Sequence, residues 1–195
     1  MAESQFHEDD EFLIKRFVSD DESAFEELFG RYKQKIFNLV YRYIGSYPET
    51  EELTQDVFVK VYKSAQTFKG KSKFSTWVYR IAVNTCLNYK KKKRLVVESL
   101  DKLGTQLVKE LVAPDSTTPE ELFKRARKMA IIQQAIDSLP PNQKIAFILS
   151  KYEDFSYIEI AEIINTSISA VESLLFRAKQ QLKKELTPYK EMGDL

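Results

Sequence analysis

The chain has 195 residues, 43% of them hydrophobic, enough for one large domain or two small packed ones. Only 5 Gly and 6 Pro argue against a loop-rich β fold, and one cysteine, Cys86, allows neither an internal disulfide nor a cysteine zinc site. The lone histidine, His7, lies in an acidic segment, which argues against His-based catalysis or a metal centre, and no apolar run is long enough for membrane insertion. These features describe a cytoplasmic protein with no cofactor.

In chain order, a first helix is expected over Asp10–Val18. The acids of Asp20-Asp21-Glu22-Ser23 suit the positive end of a second helix dipole. Phe25, Leu28, Phe29, Tyr32, Ile36, Leu39, Val40 and Tyr43 then recur at three- and four-residue steps, the pattern of a broad buried stripe. Gly45-Ser46-Tyr47-Pro48 breaks that helix. A third is expected over Glu49–Ser64, with Leu53, Val57, Phe58, Val61 and Tyr62 facing inward. Phe68-Lys69-Gly70-Lys71 reads as a turn, and a fourth helix runs from about Ser75 past Leu87. Periodicity is lost from Val96 to Thr118, where Gly104, Pro114 and Ser116-Thr117-Thr118-Pro119 describe a linker with at most a weak helix at Leu107–Val112. Helical pattern resumes at Pro119, stops at Leu139-Pro140-Pro141-Asn142, and returns in three shorter stretches: Gln143–Tyr152, Ser156–Ile164 and Ser167–Leu186. The fold class is therefore all-α: two small helical domains, 1–95 and 119–195, joined by a flexible linker, 96–118.

Charge is unevenly placed. Residues 60–94 hold eleven Lys or Arg and no Asp or Glu, ending in Lys90-Lys91-Lys92-Lys93-Arg94, although the whole chain is only +1. Tyr62, Phe68, Phe74, Trp77, Tyr79 and Tyr89 are threaded through this block. Cations neutralise phosphates and aromatic faces stack on unpaired bases, so the block suits a surface that grips nucleic acid and holds part of it single-stranded. The plainer alternative is a solvated helix face followed by a basic edge.

The C-terminal stretch adds a second signal. Ser156-Tyr157-Ile158-Glu159 has the spacing of a capping box and opens a helix of about two turns. A short turn, Asn165-Thr166, leads to a longer helix, with Ile160, Ala161, Ile164, Ile168, Val171 and Leu175 placed to pack the pair. That is a helix-turn-helix pattern, whose second helix commonly enters the major groove; an ordinary αα-corner is the alternative.

Taken together, the chain resembles the extracytoplasmic-function sigma factors of the sigma-70 family. Asp21–Leu28 with Tyr32 resembles the opening of sigma region 2, Glu52–Tyr62 resembles region 2.2, and Phe74-Ser75-Thr76-Trp77-Val78-Tyr79-Arg80-Ile81-Ala82-Val83-Asn84 resembles regions 2.3 and 2.4. Leu139-Pro140, Phe155–Ala161 and Ala170–Lys179 resemble region 4. The resemblance implies a transcription initiation factor that binds core RNA polymerase, directs it to −35 and −10 promoter elements and helps open the duplex. The family commonly has an anti-sigma factor, so the resemblance admits one as a partner.

The resemblance also implies site residues. Polymerase docking falls on Leu53, Gln55, Asp56 and Phe58, with the two polar residues as contacts or as a solvated face. Phe68 and Asn84 match positions that hold an unpaired base of the non-template strand; an aromatic wall and an amide that both donates and accepts suit that task. Otherwise Phe68 is core and Asn84 a surface amide. Trp77 is either core or a melting wedge, and Lys60, Lys63, Lys73 and Arg80 match phosphate contacts of the −10 region. The Lys90–Arg94 run is either a contact to the duplex backbone or a basic edge. For the −35 element the matching residues are Ser169, Glu172, Ser173, Phe176, Arg177 and Lys179.

One departure stands out. Where the family often has basic residues early in the recognition helix, this chain has Glu172 and Leu174. Glu172 either accepts from a base, cytosine N4 being suited, or closes a capping box from Ser169, with Ser167 an equally good cap. Leu174 is either core or a contact to a thymine methyl. The competing function is a stand-alone helix-turn-helix regulator. An enzyme is disfavoured because no phosphate loop, metal cluster or nucleophile–base pair is present in the sequence.

Overall fold

The computed structural model describes residues 9–100 and 119–192, and among these every regular element is helical. They fall into two compact units, one spanning Met1–Arg94 and one holding most of the remainder. His7, most of the expected linker and the weak helix expected at Leu107–Val112 lie outside the described residues.

The first unit opens with α1 (Asp10–Val18), which has acids in its first turn and Lys15 and Arg16 in its last, matching the helix dipole at both ends. Leu13 and Ile14 are its buried residues, and they seat it on α2 (Glu22–Ile44). Asp21 caps α2. Its carboxylate accepts from the Ser23 N–H at 3.2 Å and from the Arg16 guanidinium at 2.6 Å, joining the two helix ends. The Ser23 hydroxyl also donates to this carboxylate, at 2.6 Å, and that bond first, then the one from Arg16, holds the carboxyl below the usual range. Of the periodic stripe, Leu28, Tyr32, Ile36, Leu39, Val40 and Tyr43 are buried, with Ala24 beside them, while Phe25 and Phe29 are half-buried. Gly45 ends the helix at φ 80°, a left-handed conformation that suits glycine.

Next, α3 spans Tyr47–Ser64 and starts two residues before the expected Glu49. Pro48 occupies its first turn, where a missing N–H costs nothing. A short 3-10 turn (Ala65–Thr67) and a loop through Gly70 (φ 66°) lead to α4 (Phe74–Leu100). The backbone of α4 stays helical to Leu100, beyond Val96, where the apolar period fades. The lysine run is thus part of a helix.

The rest of the described chain forms α5 (Pro119–Asp137), α6 (Pro141–Lys151), α7 (Tyr157–Ile163) and α8 (Ile168–Glu191), and α5 and α8 meet in a core that includes Ala135, Ile136, Leu139, Ala178 and Leu182, with Phe147 of α6 packed against it. The helix-turn-helix is α7–α8. Ser156 and Glu159 form the reciprocal capping box, the Glu159 N–H donating to Ser156 Oγ at 3.3 Å and the Ser156 N–H to Glu159 Oε2 at 3.0 Å. Asn165 makes the turn at φ 51°, a conformation that asparagine tolerates better than most residues. Of the residues expected to pack the pair, Ile160, Ala161, Val171 and Leu175 are buried, Ile164 is half-buried, and Ile168, the first residue of α8, is 44% exposed; Ile163 is buried as well. α8 runs five residues past the expected Leu186 and carries Pro188 in its last turns.

Candidate nucleic-acid interface

The basic, aromatic block of the first unit divides into a core and a surface. Phe74 and Tyr79 are 1% and 3% exposed, so they are packing residues and not stacking platforms. Tyr62, expected inward, is 45% exposed, and its hydroxyl donates to Glu22 Oε1 at 3.0 Å. It lies on α3 beside Phe17 and Phe25, whose ring centroids are 5.0 and 5.1 Å away.

Phe68 stands in the loop before α4, half-buried against Phe74 and Trp77 at 5.9 and 5.4 Å between ring centroids. Phe74 in turn meets Tyr32 edge-on at 5.3 Å, so this aromatic cluster rests on α2. Trp77, Arg80 and Asn84 follow at three- and four-residue steps, which place them along one side of α4. Asn84 is exposed. Lys60 reaches across from α3, its ammonium donating to Thr85 Oγ1 at 2.9 Å, which brings that cation next to Asn84 in sequence on α4. Lys63, one turn beyond Lys60, and Lys73 are also exposed. The structure thus groups Phe68 with Trp77 and Lys60 with the Asn84–Thr85 turn.

The Lys90–Arg94 run is partly engaged within the unit. Lys93 pairs with Glu49 at the start of α3, at 2.6 Å. Burial pushes the Glu49 carboxyl up, but the hydrogen bonds from Lys93 and Tyr89 outweigh it, and its pKa is lowered overall. Burial, then the Glu49 carboxylate, pushes the Tyr89 phenol up to about 12. Burial, then the Lys93 charge, lowers the Lys90 ammonium. Lys91, Lys92 and Arg94 remain exposed.

Two of the four residues expected to meet polymerase do not reach the surface. Leu53 and Phe58 are 4% and 6% exposed, and Phe58 packs edge-on against Phe29 at 4.7 Å. They point inward because α3 buries one stripe against α2, as the same periodicity demands. Gln55 and Asp56 occupy the opposite, exposed side.

On α8, Ser169, Glu172, Ser173, Phe176, Arg177 and Lys179 are all exposed, while Val171, Leu175, Ala178 and Leu182 form the buried stripe. Phe176 is 64% exposed, unusual for so large an apolar ring. Ser167 is the cap: its hydroxyl accepts from the Ala170 N–H at 3.2 Å, and the helix begins at Ile168. The capping box from Ser169 to Glu172 is therefore overturned, since Glu172 lies past the first turn. Ser173 donates its hydroxyl to the Ser169 carbonyl at 3.0 Å. Leu174 is half-buried.

A contact that the sequence did not suggest joins α1 to this region. Glu11 Oε1 accepts from the Phe74 N–H at 2.9 Å, a carboxylate cap on α4 supplied from 63 residues away. Beside it, Asp10 accepts from Arg31 at 2.5 Å and from the Tyr32 hydroxyl. Burial first, then Asp10, pushes the Tyr32 phenol far above its ordinary range.

Among the described residues no helix is long and apolar enough to cross a membrane, and no cluster of His, Cys, Asp and Glu could hold a metal ion.

Comparison with known proteins gives two family matches: sigma-70 region 2 over residues 28–96, and sigma-70 region 4 over residues 129–182. The ECF RNA polymerase sigma factor SigW of Bacillus subtilis is 33% identical over 177 residues, covering 89% of this chain and 94% of that protein. The ECF RNA polymerase sigma-E factor of Escherichia coli K12 is 32% identical over 182 residues, covering 92% and 95%. Among solved structures, the sigma factor RpoE of Bartonella quintana, in complex with the anti-sigma factor NepR, superposes with a TM-score of 0.68 at 20% identity, covering 84% of this chain and 96% of that one. CnrH in complex with the cytosolic domain of CnrY gives a TM-score of 0.63 at 20% identity, covering 92% and 97%. These two support the helical fold.

Proposed function

The chain belongs to the ECF RNA polymerase sigma factors, and on that premise we propose that it binds core RNA polymerase, directs it to −35 and −10 promoter elements and helps separate the strands there. It acts as a cytoplasmic initiation factor and not as an enzyme. The observation that carries this reading is the presence, on one chain, of two exposed surfaces suited to two states of DNA. One is basic and aromatic, around Phe68, Trp77 and Asn84; the other is the outer face of α8 in a helix-turn-helix.

In this reading the first domain takes the −10 element. Phe68 and Asn84 receive an unpaired base, Phe68 by its ring and Asn84 by an amide that donates and accepts. Trp77 backs Phe68, and Lys60, Lys63, Lys73 and Arg80 neutralise phosphates along the strand. Gln55 and Asp56 contact polymerase, while Leu53 and Phe58 hold their helix in place from beneath. The second domain, from residue 119, takes the −35 element as duplex. Ser169, Glu172, Ser173 and Phe176 face base edges, and Arg177 and Lys179 face phosphates. An inhibitor of the anti-sigma class is a further partner that this reading admits.

Transcription with purified core polymerase tests the proposal, using promoters found by mapping transcript starts after overexpression. The chain plus core should start transcripts at defined positions, and the chain alone should bind the same duplexes weakly. Tight sequence-specific binding by the chain alone, with no transcription alongside core, would instead support a stand-alone regulator.

A further inference from the structure

The loop over residues 68–73 carries Phe68 and Lys73, and α1 holds it at both ends. At its start, α1 packs against the 3-10 turn Ala65–Thr67, from which Phe68 N–H donates back to the Ala65 carbonyl at 3.0 Å. At its end, Glu11 of α1 accepts from the Phe74 N–H at 2.9 Å. α1 is itself fixed on α2. Leu13 and Ile14 are 0% and 1% exposed, Asp10 grips Arg31 and Tyr32, and Arg16 closes on Asp21 at 2.6 Å. The loop thus hangs between two points of one rigid helix. Its central Gly70, at φ 66°, gives it a backbone conformation that few other residues share.

We infer that α1 sets the geometry of the 68–73 loop, with Glu11 as a positioning residue that holds Phe68 and the first turn of α4 ready for an unpaired base. This rests on the base-pocket reading given under Proposed function. The electrostatics give it a distinctive sign. Glu11 puts a carboxylate one residue from Lys73, in a region meant to attract phosphate. As a plain surface acid it would repel DNA, and its removal would strengthen DNA binding. As a positioning group its removal weakens strand separation, and only where a base is present to be held.

The experiment follows strand opening by permanganate reactivity, using the full chain with core polymerase. The templates are intact promoters and promoters with one abasic site at each non-template position of the −10 element in turn. Phe68→Ala serves as the reference and should identify one position whose abasic form abolishes its deficit. Glu11→Ala should open intact promoters about fivefold less well, the scale of a lost helix cap, and should match wild type on that same abasic template. Glu11→Gln keeps an acceptor oxygen and should restore most of the opening, with any residual loss again confined to the intact template; it also covers the case in which the alanine variant does not fold. Equal deficits on both templates, or better opening by Glu11→Ala, would overturn the positioning role while a base-dependent Phe68→Ala deficit left the pocket standing. A Phe68→Ala deficit at no position would remove the pocket reading and this inference with it.

Discussion

Replacing Asn84 by alanine separates function from stability more cleanly than any other change in the first unit. Asn84 is exposed on the outer side of α4, away from the buried Val83, Thr85 and Cys86 that flank it. Its side chain therefore adds little to packing. Within a helix alanine is the better former, by up to about 0.7 kcal/mol, so Asn84→Ala should leave the melting temperature unchanged or slightly raised. Loss of an amide that holds a base should cost about 1–3 kcal/mol of the open complex. At about 1.4 kcal/mol per tenfold, that is roughly a five- to 150-fold loss of opening. Binding to core polymerase should not change, because Gln55 and Asp56 lie on another helix, α3. Thermal unfolding, binding of labelled chain to core, and permanganate reactivity of a promoter at saturating holoenzyme measure the three quantities. Opening within twofold of wild type, with the variant fully bound to core, would refute the assignment of Asn84 to the base site.

Other substitutions test the remaining assignments. Because Ser167 and not Ser169 caps α8, Glu172→Gln should shift the base preferred at one −35 position toward adenine without destabilising the domain. Transcription from a randomised −35 library would read this, with Arg177→Ala as the control that weakens all sequences alike and flattens the salt dependence. Leu53→Ala should destabilise the first unit by about 2–5 kcal/mol, as truncation in a packed core does, while Asp56→Ala should keep stability within about 0.5 kcal/mol and weaken core binding. Chemical unfolding and a binding titration distinguish the two. Finally, the Glu49 carboxyl is depressed in the folded chain, so its contribution to stability is present above the ordinary glutamate value of 4.5 and is lost as pH falls through the lower folded value. Lys93→Ala should reduce stability at neutral pH and flatten that acid limb; an unchanged profile of melting temperature against pH would show that the Glu49–Lys93 pair contributes nothing.

The sequence alone determined most of what is local. The helices follow from apolar spacing, the helix-turn-helix from its seam residues, and the capping box from Ser156 and Glu159 three residues apart, because each signal lies within a turn or two of chain. The choice between two readings of one residue needed the folded molecule. Phe74 and Tyr79 lie in the same basic block as Phe68, yet only the packing of α4 buries the first two and leaves Phe68 partly open. The periodicity that put Leu53 and Phe58 on a helix was the same periodicity that removed them from its surface. Ser167 and Ser169 were equal candidates to cap α8 until the backbone turned at Ser167. The braces that span the chain had no sequence signature at all: Glu11 meets Phe74 across 63 residues and Lys93 meets Glu49 across 44. A carboxylate near a helix start or in a helix's first turn looks the same in sequence whichever partner it finds. Only the tertiary arrangement, fixed by burial of the apolar stripes, decides which N–H or ammonium lies within reach.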